Sequence, residues 1–294
     1  MRHLPMNRRA FVGGTAAATL ALGCQIPGAL PATAAGDAKP SDVSEELVLT
    51  VAGREIRPRL VSPPASQLAK DPWLLLNLCG DRELALTTEP YCLGVRLFLS
   101  RGHRALSFDL PDHGSRVERH GEGIQGWRNA WMAGEDRFQQ FVKEASAVID
   151  KAIEIGRAKA GKIAVYGISR GGYLAMRLLA AEARIAAAAA IAPVTDWRVL
   201  REFAKEKDIE DLANQRLARW AESLATKRIF IAMGDSDERV GTLSCCRFFL
   251  ELQEANARRS QAALPVEFHC ARMAEPGHTV DDSWRRRGAE FLLE

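Results

Sequence analysis

The sequence lacks the features that mark membrane-spanning, zinc-binding or nucleotide-binding proteins. Its longest apolar stretch, Phe11 to Leu22, is about a dozen residues, whereas a spanning helix needs roughly 20. The six cysteines include no C-x-x-C pair and no zinc-type Cys/His spacing. No P-loop occurs, and no dinucleotide-binding glycine motif follows a predicted strand. We therefore expect no transmembrane span, no metal and no organic cofactor.

An excess of charge of one sign is also missing. The formal net charge is +3, but the first 34 residues contain three arginines and no acidic residue. Without that segment the chain would carry as many basic as acidic residues. This balance gives no indication of nucleic acid or of an anionic membrane as a partner.

The N-terminus has the layout of an export signal: basic, then apolar, then rich in small residues. Asn7-Arg8-Arg9-Ala10-Phe11-Val12 resembles the twin-arginine motif of bacteria, and Ala32-Thr33-Ala34 is an A-x-A-like cleavage site. We predict a signal peptide over residues 1–34 and a flexible leader over residues 35–44. The protein is then expected to leave the bacterial cytoplasm for the periplasm or the exterior.

Two alternatives to a signal cleaved after Ala34 exist. Leu22-Gly23-Cys24 would end a lipoprotein signal and leave a lipid anchor on Cys24, although Ala21 and Leu22 suit that motif poorly. The second alternative is a frayed N-terminus of a cytosolic protein. The basic start, the apolar stretch and the small residues that follow it agree with an export signal and argue against this alternative.

From residue 45 to the end, short apolar runs alternate with longer helical segments. Glu46–Val51 and Glu55–Val61 are β-prone, joined by Ala52-Gly53, and predict an N-terminal hairpin. Strands without polar alternation indicate a mostly parallel, doubly wound α/β sheet. The predicted strands are Trp73–Leu78, Ala105–Phe108, Lys162–Tyr166, Ala186–Ile191, Arg228–Met233 and Val266–Cys270. The predicted helices are Tyr91–Ser100, Glu135–Arg157, Gly171–Glu182, Thr242–Ala257 and Val280–Leu293.

Two insertions interrupt this alternation, from Gly114 to Gly134 and from Val194 to Thr226. Each follows the carboxyl end of a predicted strand, where ligands bind in such sheets. We interpret them as the walls and a small helical lid of a substrate pocket. The alternative is that their aromatic residues only anchor the insertions to the core. The aromatic residues in question are Trp127, Trp131, Trp197, Phe203 and Trp220.

The strongest motif is Gly167-Ile168-Ser169-Arg170-Gly171-Gly172, between an apolar strand and a helical run. This setting is that of a nucleophile elbow, in which a serine stands at a helix N-terminus. A serine nucleophile needs a base, and the base needs an orienting carboxylate. Of the two histidines after Ser169, His269 lies within a predicted strand, whereas His278 follows that strand in a turn. Asp235 and Asp237, after the strand Arg228–Met233, compete as the acid.

Taken together, these residues resemble the α/β-hydrolase superfamily, from about Glu46 to the end of the chain. The double glycine Gly171-Gly172 resembles the branch of dienelactone hydrolases and prolyl-oligopeptidase-type peptidases. In that branch the acid stands three residues before a valine, which favours Asp237, three residues before Val240, over Asp235. The segment from Ser107 to Ser115 resembles the loop Asp-x-Pro-Gly-His-Gly, with Asp112 in place of a glycine, and implies a structural role for His113.

The resemblance implies an oxyanion hole made of two backbone amides. One donor is expected to be the amide of Arg170. The other is expected from Cys79, with Leu78 and Gly80 as alternatives, because Leu76-Asn77-Leu78-Cys79-Gly80-Asp81 departs from the family's His-Gly-x pattern.

The resemblance implies a serine hydrolase that cleaves small carboxylic esters or lactones through an acyl-enzyme on Ser169. A peptidase is less expected because only about 40 residues separate the predicted signal peptide from strand Trp73–Leu78, too few for the propeller of prolyl oligopeptidases. An acyltransferase and a catalytically silent binding protein remain alternatives. Three arginines are candidates for contact with an acidic substrate: Arg116, Arg119 and Arg170.

Overall fold

The computed structural model describes residues 42–259, 265–278 and 280–294. The predicted signal peptide, its cleavage site and Cys24 lie outside these residues, as does most of the predicted leader. Val43 and Ser44, the last two residues of that leader, already form a strand because their backbones pair with Ser62 and Val61.

An eight-stranded sheet forms the centre of the described chain, and it confirms the predicted α/β-hydrolase architecture. Its order is β1-β4-β6-β5-β7-β8-β9-β10, and the six strands from β6 to β10 along this order are parallel. The strands are β1 (Val43–Glu46), β4 (Arg59–Ser62), β5 (Leu74–Leu78), β6 (Arg104–Ser107), β7 (Ile163–Ile168), β8 (Ile185–Ile191), β9 (Arg228–Gly234) and β10 (Val266–Ala271). Strands β5 and β7 are buried along their whole length, as their almost entirely apolar sequences require.

The predicted N-terminal hairpin is present, but the part next to its turn and the part away from its turn belong to different sheets. Strands β2 (Leu49–Val51) and β3 (Arg54–Ile56) pair across Ala52-Gly53 as a separate ribbon. The flanking strands β1 and β4 pair antiparallel with each other, and β4 joins the main sheet along β6. The hairpin therefore closes one edge of the sheet.

Helices cover both faces of the sheet, as expected for a doubly wound fold. One apolar cluster contains residues of α4, α5 and α8, and a second, on the other face, contains residues of α1, α2 and α9. None of the helices within the described part of the chain is long and apolar enough to cross a membrane. The helices are α1 (Arg82–Thr87), α2 (Leu93–Ser100), α3 (Gly123–Met132), α4 (Arg137–Glu154), α5 (Arg170–Ala181), α6 (Glu210–Ala213), α7 (Ala221–Leu224), α8 (Thr242–Ala257) and α9 (Asp282–Phe291).

The alanine-rich segment is strand β8, although alanine favours helices. Ala188 and Ala190 contribute to one apolar cluster, and Ala187 and Ala189 contribute to the other. Small side chains let helices α5 and α9 approach the strand from opposite faces. Tertiary packing therefore overrides the local helix propensity at this position.

The two insertions are folded, and their large aromatic side chains point into the core. Trp127, Trp197 and Phe203 are fully buried. The Trp197 ring stacks on Phe138 of helix α4 with ring centroids 4.7 Å apart, and it meets Trp127 at 5.5 Å. These aromatic residues therefore anchor the insertions, which is the alternative that the sequence left open.

The crossing from strand β7 into helix α5 is a strained turn centred on Ser169. Its φ of 58° and ψ of −120° lie in a region that residues with a side chain rarely adopt. The Ser169 amide donates to the Ile191 carbonyl at 2.8 Å, and its carbonyl accepts from the Val194 amide at 3.1 Å. Strand β8 and the segment after it therefore hold the turn.

Two glycines make this turn sterically feasible. A Cβ atom on Gly167 would lie 2.2 Å from the Gly171 carbonyl oxygen, and one on Gly171 would lie 1.9 Å from the Leu78 carbonyl oxygen. Both contacts are with backbone atoms, which cannot rotate away. The end of β5 and the start of α5 thus touch directly below Ser169.

We predict that Gly171→Ala lowers the free energy of unfolding by more than about 2 kcal/mol, because the added methyl overlaps the Leu78 carbonyl. Gly94→Ala is the matched control. Gly94 is also the second residue of a helix, but its added Cβ would lie 3.5 Å from the nearest neighbouring atom, on the Tyr166 side chain. The control should change stability by less than about 1 kcal/mol. Urea unfolding followed by circular dichroism measures both, and equal midpoints would contradict the packing argument.

Candidate active site

The residues predicted to carry chemistry meet at the carboxyl edge of the parallel strands. Cys79 follows β5, Ser169 follows β7, Asp237 lies three residues beyond β9, and His278 lies in the segment after β10. Side chains at this edge of a doubly wound sheet converge because all the strands run in one direction. The fold therefore brings together positions that are up to 199 residues apart in the sequence.

Asp237 is buried and fully hydrogen-bonded. Its Oδ1 accepts from the amides of Arg239 at 2.9 Å and Val240 at 3.0 Å, and its Oδ2 lies 2.8 Å from His278 Nδ1. A carboxylate only accepts hydrogen bonds, so the Nδ1 atom carries the proton in this contact. The neutral imidazole then has its lone pair on Nε2.

Asp235, the other candidate acid, has a different role. Its Oδ1 accepts from the Met273 amide at 3.0 Å, and its own amide donates to the Ala271 carbonyl at 2.9 Å. It joins the loop after β9 to the segment after β10. The geometry thus places Asp237, not Asp235, against the imidazole.

His269, the histidine that the sequence set aside, is packed in strand β10. Its ring stacks on Trp284 with centroids 4.3 Å apart and lies against Phe230 at 5.2 Å. It has no contact with the Asp237 carboxylate.

Ser169 and His278 line the same cavity, which has a volume of about 140 Å³. No hydrogen bond joins the serine hydroxyl to the imidazole among the contacts of the described residues. In unliganded hydrolases this bond often forms only when substrate closes the site. The cavity is lined by Cys79, Leu84, Tyr91, Ile168, Ser169, Arg170, Ile191, Ala192, His278, Val280 and Arg285.

Several of these lining residues had no signal in the sequence. Tyr91 lies between helices α1 and α2, and Val280 and Arg285 come from the start of α9 and the residues before it. They reach the cavity because α2 and α9 pack side by side on one face of the sheet. None of the residues from 194 to 226 contributes to the wall of this cavity.

Two backbone amides at the site have no backbone acceptor among the described residues. Within the described part of the chain, neither the Arg170 nor the Cys79 amide donates to a backbone carbonyl. The two segments touch, since the Cys79 amide nitrogen lies 3.0 Å from a Cβ position on Gly171. These are the two amides that the sequence proposed for an oxyanion hole.

The Cys79 thiol does not compete with the serine as a nucleophile. Burial, together with a smaller effect of the nearby Asp81, raises the pKa of the Cys79 thiol to about 12. The thiol therefore stays protonated at neutral pH, and a protonated thiol is a poor nucleophile.

The loop from Ser107 to Ser115, which follows strand β6, is held by buried polar contacts. Asp112 has a φ of 58°, a conformation that explains the glycine of the related loops and that aspartate tolerates better than most residues. Its buried carboxylate pairs with Arg137 of helix α4 at 2.7 Å. The His113 ring donates from Nδ1 to the Pro111 carbonyl at 2.8 Å. Burial lowers the pKa of His113 to about 4, so the ring is neutral and structural.

No cluster of three His, Cys, Asp or Glu side chains with metal-binding geometry occurs within residues 42–259, 265–278 and 280–294.

The fold is similar to that of solved hydrolases of both esterase and peptidase type. An acetyl xylan esterase from Paenibacillus sp. R4 superposes with a TM-score of 0.66 at 17% identity, covering 88% of this chain and 85% of the esterase. A cold-adapted esterase from an Arctic intertidal metagenomic library gives 0.62 at 18% identity, covering 87% of this chain and 95% of that protein. Dipeptidyl peptidase 4 of Porphyromonas gingivalis gives 0.62 at 19% identity and covers 86% of this chain, which spans only 35% of the peptidase.

No protein of curated function matches this chain by sequence. The model of the prolyl oligopeptidase family matches residues 117–294, which is more than half of the chain and includes Ser169, Asp237 and His278. The chain therefore belongs to the prolyl oligopeptidase family and is a serine hydrolase with the α/β-hydrolase fold.

Proposed function

We propose that the protein hydrolyses carboxylic esters through an acyl-enzyme on Ser169, with His278 as general base and Asp237 as the residue that orients it. One observation carries this proposal. His278 is bonded through Nδ1 to a fully buried carboxylate, and it shares the wall of one cavity with a strained serine at a helix N-terminus.

In the proposed first step, His278 Nε2 takes the Ser169 proton as the serine oxygen attacks the carbonyl carbon. Asp237 stabilises the imidazolium that forms, because its Oδ2 already holds Nδ1–H. The imidazolium then gives its proton to the departing alkoxide, and the acyl group stays on Ser169. A water molecule, deprotonated by His278, attacks the acyl-enzyme, and His278 returns the proton to Ser169 as the carboxylic acid is released.

The amides of Arg170 and Cys79 are the proposed oxyanion donors. Fixed backbone donors stabilise the charge that develops on the carbonyl oxygen without reorganising during the reaction. The direct packing of Gly171 against the Leu78 carbonyl keeps the two amide-bearing segments in register.

Two of the similar structures support an ester as substrate. They are esterases, and they match this chain over 88% and 87% of its length. Peptide hydrolysis is the second candidate, and the family match favours it. An acyltransferase would use the same residues with an alcohol in place of water.

The two candidates are separated by kcat/KM on 4-nitrophenyl butyrate and on a panel of aminoacyl and dipeptidyl 4-nitroanilides. We expect the ester to be preferred by at least about 100-fold. A faster anilide would establish a peptidase. Butyl butyrate formed in the presence of butanol, in excess over butyrate, would establish an acyltransferase.

Ser169→Ala should abolish labelling by a fluorophosphonate and reduce ester hydrolysis by at least about 10³-fold, because no other group at the site becomes a nucleophile. Intact mass after labelling measures the adduct. Ser236→Ala is the control, since its hydroxyl bonds only to Asp235 at 3.2 Å and should keep full labelling. An adduct that persists on Ser169→Ala would refute the assignment.

Asp237→Asn should lower kcat by about 10³- to 10⁴-fold, because the amide would turn an NH₂ group towards His278 and favour the wrong tautomer. Asp235→Asn keeps an oxygen for the Met273 amide and should lower kcat less than about threefold. Steady-state kinetics on 4-nitrophenyl butyrate gives both values. A larger loss for Asp235→Asn than for Asp237→Asn would reverse the assignment of the acid.

A further inference from the structure

The side chain of Arg170, directly after Ser169, forms no hydrogen bond and no ion pair with the described residues. Its Nε atom is buried without a hydrogen bond, and no ion pair or hydrogen bond involves its guanidinium among the residues that the structure describes. A guanidinium offers five donors, and an unpaired, partly buried one is unfavourable. Burial accordingly lowers the pKa of Arg170 from its ordinary value.

The guanidinium lies at the cavity that contains the serine. Arg170 lines that cavity, and its Nη2 lies 3.2 Å from the Cβ position on Gly80, next to the Cys79 segment. The cation is therefore close to where the proposed oxyanion donors lie. A group bound by Arg170 would stand within a few bonds of the scissile carbonyl.

The other arginines considered from the sequence are already paired. Arg116 forms two hydrogen bonds with Glu144, at 2.9 and 2.6 Å, and Arg119 pairs with Glu135. Arg239, beside the acid, holds Glu202 at 2.7 and 2.6 Å. Arg170 differs from all three because it forms no ion pair with a carboxylate in the described part of the chain.

Among the residues that the structure describes, no acidic side chain lines the cavity. Two cationic residues line it, Arg170 and Arg285, and Arg285 already pairs with Asp282. Asp237 lies behind His278 with its side chain fully buried. The cavity therefore offers the Arg170 guanidinium room for an anionic group of a ligand.

We propose that the substrate carries a carboxylate close to the scissile ester, and that Arg170 binds it. A planar guanidinium matches a carboxylate with two parallel hydrogen bonds, and charge-assisted bonds of this kind are strong. Arg170 is then a specificity-determining residue, whose backbone amide and side chain serve different purposes. This inference rests on the proposed ester hydrolysis at Ser169.

The test compares matched esters that differ in one carboxylate. On the acyl side the pair is mono-4-nitrophenyl glutarate and 4-nitrophenyl pentanoate, and on the leaving-group side it is 4-acetoxybenzoate and its methyl ester. Wild type, Arg170→Met, Arg170→Lys and the control Arg119→Gln are compared by kcat/KM. Arg119→Gln removes one exposed charge outside the cavity and should behave as wild type.

We expect wild type to prefer the carboxylate in one of the two pairs by at least about tenfold. Arg170→Met should lower kcat/KM for that anionic ester by about 10- to 100-fold, mainly through KM, and change its neutral partner less than about threefold. Arg170→Lys should recover part of the loss.

Two results would overturn the proposal. One is that wild type shows no preference for the anionic ester in either pair. The other is that Arg170→Met lowers kcat/KM equally for both members of a pair, as loss of a packing role would. If Arg170→Met does not fold, inhibition of the wild-type enzyme by small acids and amides tests the proposal instead. Glutarate should inhibit pentanoate ester hydrolysis more strongly than glutaramide, and equal inhibition would refute the proposal. Wild type that cleaves no ester would refute the proposed function itself, a result distinct from cleavage without anion preference.

Discussion

The contact between the start of helix α5 and the end of strand β5 is the constraint on which the site depends. Gly171 lies so close to the Leu78 carbonyl that no side chain fits between them. This contact sets the height of Ser169 above the sheet and the separation of the Arg170 and Cys79 amides. The hydrogen bonds that Ser169 donates to Ile191 and accepts from Val194 then maintain its strained backbone.

The pair formed by Asp237 and His278 depends on a second constraint, the burial of the carboxylate. A buried carboxylate is tolerated only when its oxygens are satisfied, and here two amides of its own turn and one imidazole do this. The turn supplies the amides locally, whereas the imidazole arrives from the segment after β10. The carboxylate therefore fixes the orientation of a ring that lies on a separate segment.

Arg170 departs from this pattern of satisfied polar groups. Other buried charges, such as Asp112 with Arg137 and Glu144 with Arg116, are paired inside the protein. A cation without an ion pair, at a cavity beside a proposed nucleophile, is a candidate for binding an anionic ligand. The same loop thus combines a proposed oxyanion donor in its backbone with a proposed anion receptor in its side chain.

The sequence alone determined the six parallel strands, five of the nine helices that the structure describes, the elbow around Ser169 and the short set of candidates for the base and the acid. These features are local: burial on both faces leaves continuous apolar strands, and a tight turn requires Gly167 and Gly171. Even the alanine strand β8 was identified, although local propensity argued for a helix. Only the tertiary structure decided that Asp237 rather than Asp235 meets His278, because both aspartates lie in one short turn. It also decided that Trp197 and Phe203 anchor the insertion of residues 194–226 to the core. A third outcome is that Arg170 forms no ion pair with the described residues, whereas Arg116 and Arg119 each pair with a glutamate. Those outcomes depend on contacts between segments far apart in the chain, which no local pattern encodes.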